Sequence, residues 1–158
     1  MPFNIARELF EYYRQGAAEV GRTVTPDNLG FLICAVAADT KAKALEAGRH
    51  FVWRMGATLR GPTEFMAPVG MRSRAGSKFA LRARARSTAT MSYEELLEEN
   101  FIIAGTPDEV ADRFAHVHRE LGVGHLLLEA QESRMDHPTT MRSIELMGAK
   151  VIPALATL

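Results

Sequence analysis

The sequence is poor in cysteine, in net charge and in long apolar runs. It has one cysteine, Cys34, in 158 residues. No disulfide framework can therefore form within the chain, and a reducing, cytoplasmic setting is expected. Cys34 lies in the apolar run FLICAVAA, where a thiol is read as a small buried side chain and not as a nucleophile. Net charge is zero, from 19 basic and 19 acidic residues. Such a balance argues against nucleic acid or an anionic membrane as the principal partner. No apolar run approaches the roughly 18 residues of a membrane span. The opening MPFNIARELF lacks the basic, apolar, small order of a secretory signal.

What is present is an ordinary globular composition, 47% hydrophobic and 24% charged, in a chain long enough for one domain with a core. Ile5, Leu9, Tyr12 or Tyr13, Ala17 and Val20 recur at helical spacing, with Asn4 placed to cap the helix and Gly21 to end it. Residues 30–37, GFLICAVA, read as a strand covered on both faces, as in a parallel sheet. Asp39 or Thr40 then starts a second helix through Leu45, Val52 and Met55. Residues 56–91 break the pattern with repeated Gly and Pro, and MRSRAGSKFALRARAR within them is basic without one acid. We read 56–91 as a partly helical, mobile insertion. Ser92 and Glu95 make a capping box for YEELLEE. A strand is expected at 101–104 and a helix at 107–121, with Val110, Phe114, Val117 and Leu121 on one face. Gly122 and Gly124 end that helix, and HLLLEAQ at 125–131 reads as a third strand. Pro138 opens a last helix marked by Met141, Ile144, Met147, Val151 and Leu155.

Strands separated by helices imply parallel pairing. Three strands, however, leave two apolar edges uncovered, and a complete (β/α)8 barrel takes about 250 residues. The expected fold class is thus α/β: a partial, C-terminal half of a TIM-like barrel with about three parallel strands. Residues 1–158 would form a single incomplete barrel domain carrying the 56–91 insertion as a lid.

Four features are candidate sites. Gly105-Thr106-Pro107 sits between a strand and a helix, as phosphate loops do. Yet Thr106 with Glu109 forms a capping box, and Asp108 and Glu109 would repel a phosphate from those N–H groups. His116 and His118 are two apart on a helix and face different ways; no spacing resembles a zinc site, and His125 opens a strand. Glu129 and Gln131 alternate onto one face near a strand's carboxyl end. They either line a ligand site or form a polar pair held by backbone groups. The basic insertion is either a solvated loop or a lid over an anionic ligand, with Trp53, Phe65 and Phe79 giving it an apolar side.

The stretches GTPDEVADRFAHVHRELGVGHLLLEAQ and HPTTMRSIELMGAKVIPAL resemble the C-terminal segment of the luciferase-like flavin-dependent monooxygenases. AAEVGRTVTPDNLGFLICAVAADTKAKALE, LRGPTEFMAPVG and SYEELLEENFIIAG are similar to the family segments upstream, so the resemblance covers nearly the whole chain. It implies a barrel that uses reduced FMN, or in some relatives the deazaflavin F420, to oxidise a small organic substrate with O2. It also implies a flavin reductase as partner and a homodimer. The family's N-terminal barrel half, with most flavin contacts and the luciferase histidine, has no counterpart here. Met1 would fall near the loop after the fifth barrel strand, and no catalytic residue carries over. Phe3 and Asn4 are the expected cofactor contacts, and Trp53, Phe65, Phe79, Glu129 and Gln131 the expected substrate or lid residues. The alternative is a non-catalytic barrel remnant acting as a structural or interaction subunit, pairing its free strand edges with itself or with a complementary barrel half.

Overall fold

A computed structural model describes residues 3–57 and 91–156. The insertion expected over 56–91, with Phe65 and Phe79, lies outside the described residues except at its ends. The described elements run α1 (Phe3–Glu19), β1 (Gly30–Ala37), α2 (Lys41–Gly48), α3 (His50–Ala57), α4 (Tyr93–Glu98), β2 (Ile102–Gly105), α5 (Pro107–Leu121), β3 (His125–Glu129), α6 (His137–Leu146), a π-turn (Met147–Val151) and α7 (Ile152–Leu155). The expected alternation is there, with boundary shifts. The second expected helix breaks at Arg49 into α2 and α3. The third strand stops at Glu129, so Gln131 falls outside it, exposed.

Local signals set these boundaries. Thr40 caps α2, its hydroxyl accepting from the Lys43 N–H. Ser92 and Glu95 form the expected capping box. Gly21, at a φ of 73°, ends α1 with its N–H on the Ala18 carbonyl (3.0 Å) and the Arg22 N–H on the Ala17 carbonyl (2.8 Å). That pair of bonds is a Schellman ending, which glycine permits at no steric cost.

The sheet is open, parallel and ordered β2-β1-β3. β1 pairs with β2 from Cys34↔Ile102 to Ala37↔Gly105, and with β3 from Gly30↔His125 to Cys34↔Glu129. β1 is central, and its residues 33–37 are buried. Alternation sends Ile33, Ala35 and Ala37 to one face, where they pack with Ile103, Val110, Phe114, Val117, Leu146 and Val151. Cys34 and Val36 point the other way, onto Phe51, Met55, Tyr93, Leu96 and Ile102. Helices therefore cover both faces, whereas a closed barrel carries them on its outside only. The described helices of the β1–β2 connection, α2, α3 and α4, lie on the α3 face, and the β2–β3 connection lies on the α5 face. Close approach on the α3 face requires Gly48: a Cβ there would sit 2.9 Å from the Ala104 Cβ and collide with the Tyr93 hydroxyl.

Two helical stripes are less buried than their spacing suggests. Only Phe3, Ile5 and Ala6 of α1 are buried, and Tyr12, Tyr13 and Val20 are exposed. Arg14 caps the end of α5, donating to the carbonyls of Leu121 (2.9 Å) and Gly122 (3.2 Å), and α1 overshoots the core beyond that point. In α6, Met141 and Ile144 face solvent, while Thr140, Ser143 and Leu146 are buried. The small Ser143 lets α6 lie close on β1, its Oγ accepting from the Ala37 N–H at 3.0 Å.

Candidate functional site

In an open α/β sheet, ligands bind at the carboxyl ends of the strands, where neighbouring connections leave for opposite faces. Here that point lies between β1, whose chain turns to the α3 face, and β3, whose following helix α6 joins the α5 face. A cleft of about 410 Å³ occupies it, lined by Ala37, Ala38, Asp39, Lys43, Glu46, Ala47, His50, Met135, Asp136, Pro138, Thr139 and Arg142.

Its walls are charged. Arg142 clasps Asp39 with two bonds, Nη2 to Oδ1 at 2.7 Å and Nε to Oδ2 at 3.2 Å, and reaches Glu145 at 3.1 Å. The guanidinium holds the Asp39 carboxyl below its usual range. Asp136 caps α6, accepting from the Thr139 N–H (2.9 Å) and hydroxyl (2.8 Å). Those two bonds lower its pKa, and the charge of His50 adds to the effect. Lys43 and His50 complete the rim. Asp39, Lys43, His50, Asp136 and Arg142 were not singled out as ligand contacts from sequence. The one available signal is that Asp39 is the first polar residue after the most apolar strand.

A second cluster lies beside it on the α3 face. Arg54 forms an ion pair with Glu129, and the Cys34 thiol donates weakly to the same carboxylate at 3.9 Å. Burial, and then the Glu129 charge, push the Cys34 pKa up to about 12. The thiol is thus protonated at neutral pH and is not a nucleophile. Arg134 stacks over Trp53 at 4.6 Å, tying α3 to the loop after β3. In that loop Glu132 is buried. Desolvation opposes its charge, but hydrogen bonds from the Arg134 N–H (2.9 Å) and the Ser133 hydroxyl (2.8 Å) outweigh it and lower its pKa.

Trp53 and Glu129 each meet an arginine here, Trp53 under Arg134 of the loop after β3 and Glu129 with Arg54 of α3. Gln131 is near them in sequence but exposed. Phe3 and Asn4 lie elsewhere. Phe3 is buried on the α5 face, stacked on His116 (5.9 Å, 12°) and edge-on to Phe31 (6.2 Å, 89°). Asn4 is exposed, its Oδ1 accepting from the Ile5 N–H. His118 faces differently from His116, its Nδ1 lying 2.7 Å from the Val123 carbonyl. At the Gly105 loop the expected capping box forms. Glu109 accepts from the Thr106 N–H (2.9 Å), and Lys41 adds an ion pair (2.7 Å). The α5 N-terminus is therefore filled by the chain's own carboxylate, whose pKa is lowered first by Lys41 and then by Thr106. Among the described residues no three His, Cys, Asp or Glu side chains are grouped to hold a metal ion, and no helix is long and apolar enough to cross a membrane.

Comparison with known proteins places this arrangement. No curated protein matches the sequence significantly. Among solved structures, the chain is similar to monooxygenase RslO1 from Streptomyces bottropensis, with a TM-score of 0.64 and 18% identity over 99% of this chain and 40% of that one. It is also similar to the FMN-bound oxygenating constituent of 3,6-diketocamphane monooxygenase from Pseudomonas putida, with a TM-score of 0.60 and 21% identity over 98% and 41%. A third is the coenzyme F420-dependent tetrahydromethanopterin reductase from Methanopyrus kandleri, with a TM-score of 0.57 and 21% identity over 95% and 42%. The chain spans about two-fifths of the length of these structures. At such identities the likeness shows the fold, and a sequence-family model described as luciferase-like monooxygenase, matching residues 1–125, adds the lineage. The chain belongs to the luciferase-like monooxygenase family.

Proposed function

We propose that this chain is the C-terminal part of a flavin-dependent monooxygenase that acts on a small organic substrate with O2 and reduced FMN from a flavin reductase, F420 being the alternative cofactor. The observation that carries the reading is the family match over residues 1–125. The charged cleft at the strands' carboxyl ends supports it. The described residues fit only part of such a cofactor. Lys43 and His50 suit an anionic end, but the apolar lining is limited to Ala37, Ala38, Ala47, Met135 and Pro138. That is too little platform for a flavin ring, so no chemical step is derived through it.

The test is an FMN titration of the purified chain, followed by flavin fluorescence. Binding is expected to be weak and to weaken about tenfold further, about 1.4 kcal/mol, in Lys43→Ala. Stoichiometric submicromolar binding would overturn the partial site. Weak binding indifferent to Lys43 would remove the cleft from the reading. A second reading is an interaction subunit that pairs a free strand edge with another polypeptide. The outer edge of β3, which pairs with no strand among the described residues, favours it.

A further inference from the structure

The connection from β3 to α6 supplies part of the cleft wall, through Met135 and Asp136. Within this connection lies Glu132, a charged side chain that is only 4% exposed. Its carboxylate accepts from the Ser133 hydroxyl at 2.8 Å and from the Arg134 N–H at 2.9 Å. Its backbone carbonyl accepts from the Met135 N–H at 2.9 Å. That last bond closes a β-turn over residues 132–135. The bond from Arg134 is the glutamate counterpart of an Asx-turn, in which a side-chain oxygen takes the N–H two residues on. A buried carboxylate is costly unless it is hydrogen-bonded. Here the offsetting bonds run to the next two residues, so they fix the shape of the turn instead of docking it on another element.

The turn in turn places its neighbours. Met135 is buried and meets both the α3-face core and the cleft. Arg134 is exposed and stacks over Trp53 of α3 at 4.6 Å. Trp53 stands one helical turn beyond His50, a cleft residue, so the stack lies beside the cleft. We propose that Glu132 is a positioning residue of the cleft. Its carboxylate holds the turn that carries Met135 and Asp136 to the wall and lays Arg134 on Trp53. It acts through the spacing between α3 and the turn, and not by touching a ligand. Its effect on ligand affinity rests on the cleft reading above, whereas the shape of the turn is measured without any ligand.

The chain has one tryptophan, so its emission reports the Arg134–Trp53 stack. Glu132→Gln keeps the size of the side chain but sets an amide NH2 where an oxygen met a donor. Trp53 emission is expected to move towards that of Arg134→Ala, in which the stack is removed outright. Backbone hydrogen exchange is expected to quicken at Arg134 and Met135 and to stay unchanged in β1 and α5. FMN affinity is expected to fall about tenfold, the worth of one hydrogen bond to a charged group. A Glu132→Gln chain with wild-type Trp53 emission, or with exchange raised throughout the fold, overturns the inference. So does an unchanged FMN affinity where Lys43→Ala lowers it. FMN binding indifferent to Lys43 removes the cleft reading instead, and Trp53 emission and exchange then decide the role of Glu132. Should Glu132→Gln fail to fold, the wild type decides: an Arg134 amide that exchanges without protection overturns the inference equally.

Discussion

Ser143 joins the fold to the cleft. Its side chain is fully buried, and its Oγ accepts from the Ala37 N–H at 3.0 Å where β1 ends and the cleft begins. Ser143→Ala removes the acceptor and leaves that N–H buried without a partner. Such a loss costs roughly 1–3 kcal/mol. Alanine's better helix propensity returns about 0.5 kcal/mol at this α6 position. A net loss of about 0.5–2.5 kcal/mol remains, equivalent to a fall in Tm of roughly 1–10 °C for a domain of this size. Thermal unfolding followed by circular dichroism at 222 nm reads it. Ile144→Ala is the control: its neighbour on α6 is 47% exposed, and a surface change of this kind stays within about 0.5 kcal/mol. A Ser143→Ala protein as stable as this control would show that the β1 N–H has another partner. The role given to Ser143 in holding α6 against the strand end would then be withdrawn.

Acid sensitivity follows from four carboxylates. Asp39, Glu109, Glu132 and Asp136 all have folded-state pKa values below their usual ones. Each contributes stability that is present above its unfolded pKa and lost as pH falls through its folded one. Urea midpoints are expected to be flat from pH 7 to about 5 and to drop below about 4; a midpoint rising towards low pH would contradict the assignments. Cys34, buried with its pKa near 12, should resist thiol reagents at pH 8 until urea unfolds the chain. Rapid stoichiometric labelling of the native protein would contradict its placement. Gly48→Ala should cost roughly 1–3 kcal/mol, because the new Cβ meets Tyr93 and Ala104. An unchanged Tm would mean that α2 is not held as close to β2 as described.

The parts of this protein legible in its sequence are those decided within a few residues. Thr106 and Glu109, or Ser92 and Glu95, need only one helical turn to satisfy each other's N–H groups. Gly21 needs only its own left-handed φ to end α1, and the unbroken apolar run of β1 announces burial on two faces. The cleft was not legible in this way. Arg142 and Asp39 are 103 residues apart, and no local spacing pairs them. They meet because β3 crosses to the far side of β1 and carries α6 to the carboxyl end of the sheet. The same crossing joins Glu129 to Arg54 and sets β3 at an edge of the described sheet. Strand order is set by which long connections pack together on each face. Residue-by-residue preference does not encode that choice, so helices, strands and caps were determined by the sequence locally, while the site and the strand order were decided only by tertiary structure.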